Sequence, residues 1–391
     1  MKSDNNNYTL LVIGDPYSRH LAHFVRVIKK ENPQALIDVF GWKEENKEIS
    51  ADFISNVRYF FLADRPKINS RFKVSSVIAH IFYLKKAFRK HTRGKQYDII
   101  NIHYPTFVHT FLMKQMREVS YNIVLTPWGS DVYRIPTWQR FIIQRLYDNS
   151  DYVTGNGNRF TKDFMRIYNI PSSKLQYVSL GSSVIDYVSE NKNNQTTEEA
   201  KAKFGINGSY VITCGYNASP SQQHLPIVEA IDSIRDQLPE KLVLLFPFTY
   251  GGNSEYKDSV KKRTGDISVK SLFFEEYLDY PHLLDLRQAT DMFIHVQSTD
   301  ANSGSLKEYL LLEKNVINGS WLLYDDLETD SYKPYYTVDR IENLGSVILN
   351  AYRGGIVEIR QNVISSIEEL GVKYQTPKWN DMFLTISNRK V

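Results

Sequence analysis

At 391 residues the chain is too long for one ordinary core and predicts two domains of somewhat under 200 residues each. Hydrophobic residues at 42% and aromatic residues at 13% exclude a disordered chain, and the single cysteine, Cys214, excludes an intramolecular disulfide. Net charge is only +4, but residues 1–185 hold 27 Lys and Arg against 15 Asp and Glu, whereas residues 186–391 hold 21 against 29, so the first half is expected to present a basic surface to an anionic partner. No apolar run approaches the ~20 residues of a membrane span. The polar start, Met1 to Asn7, does not read as a signal peptide, and with one cysteine a cytoplasmic location is expected.

In chain order, Tyr8 to Ile13 reads as a buried parallel strand, followed by Gly14-Asp15-Pro16 and an amphipathic helix from His20 to Lys30. Strands are predicted at 35–40, 57–62, 98–103, 122–126, 151–154 and 175–179, with a helix around 110–118. Between them, Ile78 to Lys95 sets basic residues (Lys85, Lys86, Arg89, Lys90) beside aromatic and aliphatic ones at helical spacing. Such a helix fits an anionic membrane surface, although Ile78, Ile81, Phe82, Leu84 and Phe88 equally fit a core with a solvated basic face. The polar stretch 190–199 reads as a linker or exposed loop. Alternation then restarts, with strands at 210–215, 242–246, 269–274 and 292–296 and helices at 223–237, 254–264, 280–288 and 305–313. Helices at 344–352 and 355–370 close the second domain or cross back to the first. The expectation is α/β throughout, with domains over 1–187 and 200–391.

In open parallel sheets ligands gather at the carboxyl ends of the strands. In the first domain those positions hold Asp15, His20, His103, Tyr104, Trp128, Gly129 and Asp131. In the second they include Asn217, Ser219, His224, Tyr250, Glu275, Asn302, Ser303 and Glu308. No paired cysteines, His-x-x-x-His pattern, Gly-x-Ser-x-Gly, Walker A loop or dinucleotide fingerprint follows any strand, so no metal or cofactor is expected. Nucleic acid is disfavoured by the acidic second half. The segment Ser298 to Glu308 carries the strongest signal. A strand end, a polar loop and a helix entered through Gly304 and Ser305 would offer backbone N–H groups to a phosphate. Asp300, and Glu308 in the expected first helical turn, would flank the same pocket, which suggests a nucleotide-sugar site.

These residues carry a resemblance. Leu125-Thr-Pro-Trp-Gly-Ser-Asp-Val132 is similar to the His-Gly-Ser-Asp segment of GT-B glycosyltransferases, and Asp98-Ile-Ile-Asn-Ile-His103 resembles the strand before it. Asp300 to Glu308 resembles the E-x7-E acidic pair of GT4 enzymes, with Asp in first place. The segment Cys214-Gly-Tyr-Asn-Ala-Ser-Pro-Ser-Gln-Gln-His-Leu225 departs from GT4, lacking the Arg and Lys that hold the donor pyrophosphate there. Its spacing, with Pro247 to Gly252 and Gly14-Asp15-Pro16 plus His20, is more similar to the lipid-linked 4-acetamido-4,6-dideoxygalactose (Fuc4NAc) transferases, which invert the anomeric centre where GT4 enzymes retain it.

The resemblance implies a GT-B fold, two Rossmann-like domains facing a cleft, and transfer of a sugar from a nucleoside diphosphate to a hydroxyl acceptor. Asp15, His103 and Asp131 become the catalytic candidates, with Asp15 or Asp131 as general base in an inverting reaction. The donor would meet Asn217, Ser219, His224 on the pyrophosphate, Tyr250, Glu275 and Tyr277 beside the base, Asp300, Asn302, Ser303, Gly304 and Ser305, with Glu308 on the ribose. His20, Trp128, Lys85, Lys86 and Arg89 fall on the acceptor or membrane side. Implied partners are a nucleotide sugar and a saccharide or lipid-linked saccharide of surface polysaccharide synthesis, with no metal. A sugar-nucleotide epimerase or hydrolase on this fold, and a non-catalytic binding homologue, remain open alternatives.

Overall fold

The computed structural model describes residues 7–44, 47–64, 73–299, 303–329 and 331–388. The chain forms two compact units: Ser182–Gly371 is one, and the chain up to Gly181 together with the chain from Val372 onward is the other.

The first unit is built on seven parallel strands: β1 (Thr9–Ile13), β2 (Leu36–Trp42), β3 (Tyr59–Ala63), β4 (Tyr97–His103), β5 (Ser120–Thr126), β6 (Tyr152–Gly155) and β7 (Leu175–Tyr177), in the order β3-β2-β1-β4-β5-β6-β7. Successive side chains point to opposite faces, and both faces are covered. Leu11, Ile13, Ile100 and Ile102 belong to one core, Leu10, Val12 and Ile99 to the other. The helix Arg19–Glu31 shows why the sequence folds locally as it does. Ser18 caps it by accepting from the Leu21 N–H, Lys29 and Lys30 sit in its last turn, and Leu21, Phe24, Val25 and Ile28 bury one stripe.

The last helix, Val372–Asn388, belongs to this same unit. Trp379, 1% exposed, packs edge-on against Phe24 with ring centres 4.9 Å apart, and its Nε1–H donates to the Ser179 carbonyl at 2.6 Å. Phe383 closes on Tyr8 at 5.5 Å.

The second unit carries six parallel strands: β8 (Tyr210–Cys214), β9 (Leu242–Phe246), β10 (Lys270–Phe273), β11 (Met292–His295), β12 (Asn315–Gly319) and β13 (Tyr336–Val338), ordered β10-β9-β8-β11-β12-β13. In each sheet the strand order reverses beside the first strand, between β1 and β4 and between β8 and β11. These are the points where loops leave in opposite directions and open a crevice.

Several expectations change. The stretch 190–199 does not join the two units: it holds a partly exposed loop between the end of helix Ser183–Asn191 and the start of helix Thr197–Lys203, both in the second unit. Thr196 and Glu199 form a reciprocal capping box there, a pattern hidden within a polar run. The apolar pattern does not predict β12, because Asn315 and Asn318 interrupt it; both are buried, with their side-chain N–H groups bonded to the Ala351 and Leu322 carbonyls, and β13 is only three residues long. On helix Lys73–Thr92 only part of the apolar set is core. Leu84 and Phe88 are buried, while Ile78 and Phe82 are 63% and 64% exposed.

Candidate functional site

The β1/β4 reversal point holds a cavity of about 410 Å³. Ile13, Gly14 and Asp15 line it from the end of β1, Phe40, Gly41 and Trp42 from β2, His103, Tyr104 and Thr106 from β4, and Trp128 from beyond β5; Leu84, His109 and Leu112 are further walls. The structure therefore brings together four of the residues expected at strand ends, Asp15, His103, Tyr104 and Trp128. Trp128 is the aromatic hub, with His20, His103 and Tyr104 meeting it edge-on at 5.6, 6.0 and 6.0 Å. Tyr104 holds a left-handed backbone, φ 56°, in which an L side chain is strained. Asp15 is exposed at this cavity, one oxygen accepting from the Tyr17 N–H at 3.0 Å.

His103 is buried, and loss of solvation lowers its pKa to about 3, so the ring is neutral. Its Nε2 contacts Asn101 Oδ1 at 2.7 Å, and its buried Nδ1 has no hydrogen-bond partner among the described residues. His109, which sequence reasoning did not single out, stands in the same wall with its pKa lowered to about 4 by burial.

Asp131 is placed differently from expectation. It is 2% exposed and is not among the cavity-lining residues; Oδ1 accepts from the Trp128 and Gly129 N–H groups at 2.9 and 2.7 Å. Burial raises its pKa to about 6 against the lowering effect of those two bonds. Its side chain shapes the turn that carries Trp128, so it positions a wall and is not set to touch a ligand there. Lys86 and Arg89 are exposed on helix Lys73–Thr92, and Lys85 lies over the Phe111 ring at 6.0 Å, none of them in the cavity wall.

In the second unit the loops after β8 and β9 interlock. Ala218 N–H donates to the Tyr250 carbonyl at 2.8 Å, and Asn217 Oδ1 accepts from Ser219 N–H at 2.8 Å. Gly252, φ 63°, approaches so closely that an added Cβ would stand 2.3 Å from the Ala218 carbonyl oxygen, so only glycine fits. Tyr250 is 59% exposed above this turn. His224 lies beneath it, fully buried, its Nδ1 3.0 Å from Tyr256 Oη and its pKa lowered to about 4 by burial. The ring is thus neutral, so it would meet a pyrophosphate as a hydrogen-bond donor and not as a cation.

Helix Gly304–Leu311 follows β11, capped by Ser303, whose Oγ accepts from Leu306 N–H; Ser303 N–H donates to Tyr324 Oη at 3.1 Å. Glu308 is the fifth helical residue, one position deeper than expected. Helical side chains lean towards the N-terminus, and its carboxylate accordingly folds back to within 3.3 Å of where a Cβ on Gly304 would be. It is not a free carboxylate: Arg287, from helix Tyr280–Ala289, pairs with it and also donates to Ser305 Oγ at 3.2 Å. The arginine sits in the last turn of its helix, between Leu286 and Gln288, and nothing in the local pattern marks it as a partner of Glu308. Glu275 is exposed and held by Lys261 at 2.6 Å and Lys257 at 3.7 Å, which lowers its pKa; Tyr277 is 67% exposed. Asp300 and Asn302 lie outside the described residues. Among the described residues no three His, Cys, Asp or Glu side chains converge as a metal site, and no helix is long and apolar enough to cross a membrane.

Comparison with known proteins agrees with this architecture. Residues 9–156 match the family described as Glycosyl transferase 4-like. No curated protein matches the chain. Among solved structures, a glycosyltransferase from Rickettsia africae is 14% identical with a TM-score of 0.69, covering 99% of this chain and 100% of that one. Sucrose-phosphate synthase from Thermosynechococcus elongatus is 13% identical at 0.69, covering 96% and 98%. HepE from Anabaena in complex with UDP and glucose is 13% identical at 0.63, covering 96% and 99%. The two parallel-sheet units have the GT-B glycosyltransferase fold.

Proposed function

We propose that the chain is a glycosyltransferase that moves a sugar from a nucleoside diphosphate to a hydroxyl of a saccharide acceptor. One observation carries the reading: Glu308, folded back to the N-terminus of helix Gly304–Leu311, sets a buried carboxylate beside backbone amides at the β8/β11 reversal point. Amides at a helix start suit a diphosphate and the carboxylate suits ribose hydroxyls. The UDP and glucose bound by HepE support a nucleoside diphosphate sugar as donor. In this reading the Gly304 and Ser305 amides, with Asn217 and Ser219, hold the leaving diphosphate without a metal, and Tyr250 covers it.

The acceptor belongs to the first unit's cavity. Its hydroxyl oxygen attacks the anomeric carbon, the bond from that carbon to the diphosphate oxygen breaks, and the hydroxyl proton passes to Asp15, the carboxylate among the catalytic candidates that lines the cavity. That is the inverting course, in keeping with the likeness of residues 214–225 to the Fuc4NAc transferases. The exposed Ile78 and Phe82 beside Lys86 and Arg89, on a helix that contains no acidic residue, support an acceptor carried on lipid at an anionic membrane surface, as in surface polysaccharide synthesis.

Incubation with labelled nucleoside diphosphate sugars, with and without saccharide acceptors, tests the reading. Glycoside product formed only with acceptor is expected. Free hydrolysed or epimerised sugar, released at full rate without acceptor, would replace it by a hydrolase or epimerase.

A further inference from the structure

The two histidines in the wall of the first unit's cavity have fixed and opposite hydrogen-bonding polarity. Asn101, fully buried on β4, commits its amide N–H groups to Thr126 Oγ1 at 2.8 Å and the Val124 carbonyl at 3.3 Å. The Thr126 hydroxyl is itself met by Thr154 Oγ1 at 3.2 Å. Asn101 Oδ1 therefore faces His103 as an acceptor, and Nε2 of a neutral His103 carries the proton. Nδ1 is left as a bare lone pair in a side chain 1% exposed, buried and without a partner among the described residues. His109 is set the other way. The Thr106 backbone N–H donates to its Nδ1 at 3.0 Å, so the proton of that neutral ring sits on Nε2 and the ring can only donate.

The other walls include Phe40, Trp42, Leu84, Tyr104 and Trp128, with carboxylates from Asp15 and Glu44; Lys47 pairs with Glu44 at 2.6 Å, and among the described lining residues none is Lys or Arg. A buried acceptor atom left unmatched is unfavourable, and a hydroxyl that donates to it removes the penalty. A ligand with an apolar face and hydroxyls that both donate and accept suits these walls, whereas an anion meets the Asp15 carboxylate with no lining Lys or Arg to offset it. We propose that this cavity recognises an uncharged polyhydroxyl group, a pyranose ring stacked on aromatic walls, and that Asn101 and Thr106 are the positioning residues that fix its polarity through His103 and His109. The inference rests on the acceptor role given to the cavity above and narrows it: the part of the acceptor that enters is neutral sugar, and any phosphate of a lipid carrier stays outside.

The test is long-range ¹H–¹⁵N correlation NMR on the full chain labelled with ¹⁵N-histidine, with His103 and His109 assigned from His103→Gln and His109→Gln variants. Both residues are expected as neutral Nε2–H tautomers, and Asn101→Ala is expected to mix the tautomers of His103 alone. Methyl glucosides and galactosides are expected to shift His103 Nδ1, whereas glucose 6-phosphate and glucuronate at equal concentration leave it unmoved. A protonated Nδ1 on His103 in the wild-type chain overturns the proposal without any variant. An equal response to the anionic sugars, or none to any glycoside, overturns it as well. A panel of nucleoside diphosphates added to the same samples separates the two readings: failure to bind any of them removes the donor assignment, while the glycoside response decides this one.

Discussion

Arg287 and Glu308 form an ion pair in which both side chains are almost fully buried, 5% and 6% exposed. Burying two charges is unfavourable unless each finds its partner and further hydrogen bonds, and here Ser305 Oγ takes a second guanidinium N–H. Removing one partner strands the other. Arg287→Met alone is expected to destabilise the second unit by about 3–5 kcal/mol, and Arg287→Met with Glu308→Leu to recover most of that loss. Urea unfolding of the two single variants and the double variant gives the coupling directly; additive losses would mean that the pair is not coupled.

Asp131 makes stability depend on pH with a definite sign. Its folded pKa of about 6 lies above that of an exposed aspartate, so the native state binds the proton more readily than the unfolded chain. Stability contributed by this group therefore falls as pH rises from about 4 to about 6 and is flat above. Asp131→Asn keeps an acceptor for the Trp128 and Gly129 amides but has no proton to lose. Its stability relative to wild type is expected to rise by about 2–3 kcal/mol across that window, measured by denaturant unfolding at half-unit pH steps. A pH-independent difference would remove this account of the turn.

Trp379 reports whether the last helix is integral to the first unit. The side chain is 1% exposed between Phe24 and Phe383 and bonded to the Ser179 carbonyl. Trp379→Ala should lower stability by about 3–5 kcal/mol. Chemical denaturation followed by fluorescence of the remaining tryptophans measures it, and a loss under 1 kcal/mol would show that the helix is only loosely held.

The basic helix carries a prediction for surfaces. Each Lys or Arg near an anionic bilayer contributes about 1 kcal/mol. Replacing Lys86, Arg89 and Lys90 together should weaken partition onto anionic vesicles by roughly a hundredfold. Ile78→Ser with Phe82→Ser should weaken it further at high salt, where charge is screened. Vesicle cosedimentation is the measurement, and unchanged binding would remove the membrane from the account.

Much of this fold was readable because buried parallel strands announce themselves: Leu10 to Ile13 and Leu242 to Phe246 are continuous apolar runs of strand length. The cavity residues Asp15, His103 and Trp128 were readable for a related reason, since position at a strand end decides what can reach a crevice. What escaped were contacts between segments distant in sequence. Nothing around Arg287 says that Glu308, 21 residues on, will be its partner. Nothing around Asp131 says that its carboxylate turns inward to two amides. His224 looked like a phosphate ligand because the loop lacks Arg and Lys, but burial beneath Gly215 and against Tyr256 makes it neutral. Asn315 and Asn318 hid β12 because their partners, the Ala351 and Leu322 carbonyls, are supplied by tertiary structure.

The central claim, that the second unit binds the diphosphate of a sugar nucleotide, is tested most directly by calorimetric titration of the full chain with a panel of nucleoside diphosphates. The account predicts saturable one-to-one binding of at least one of them, uridine diphosphate foremost. Absence of binding by every member of the panel would contradict it.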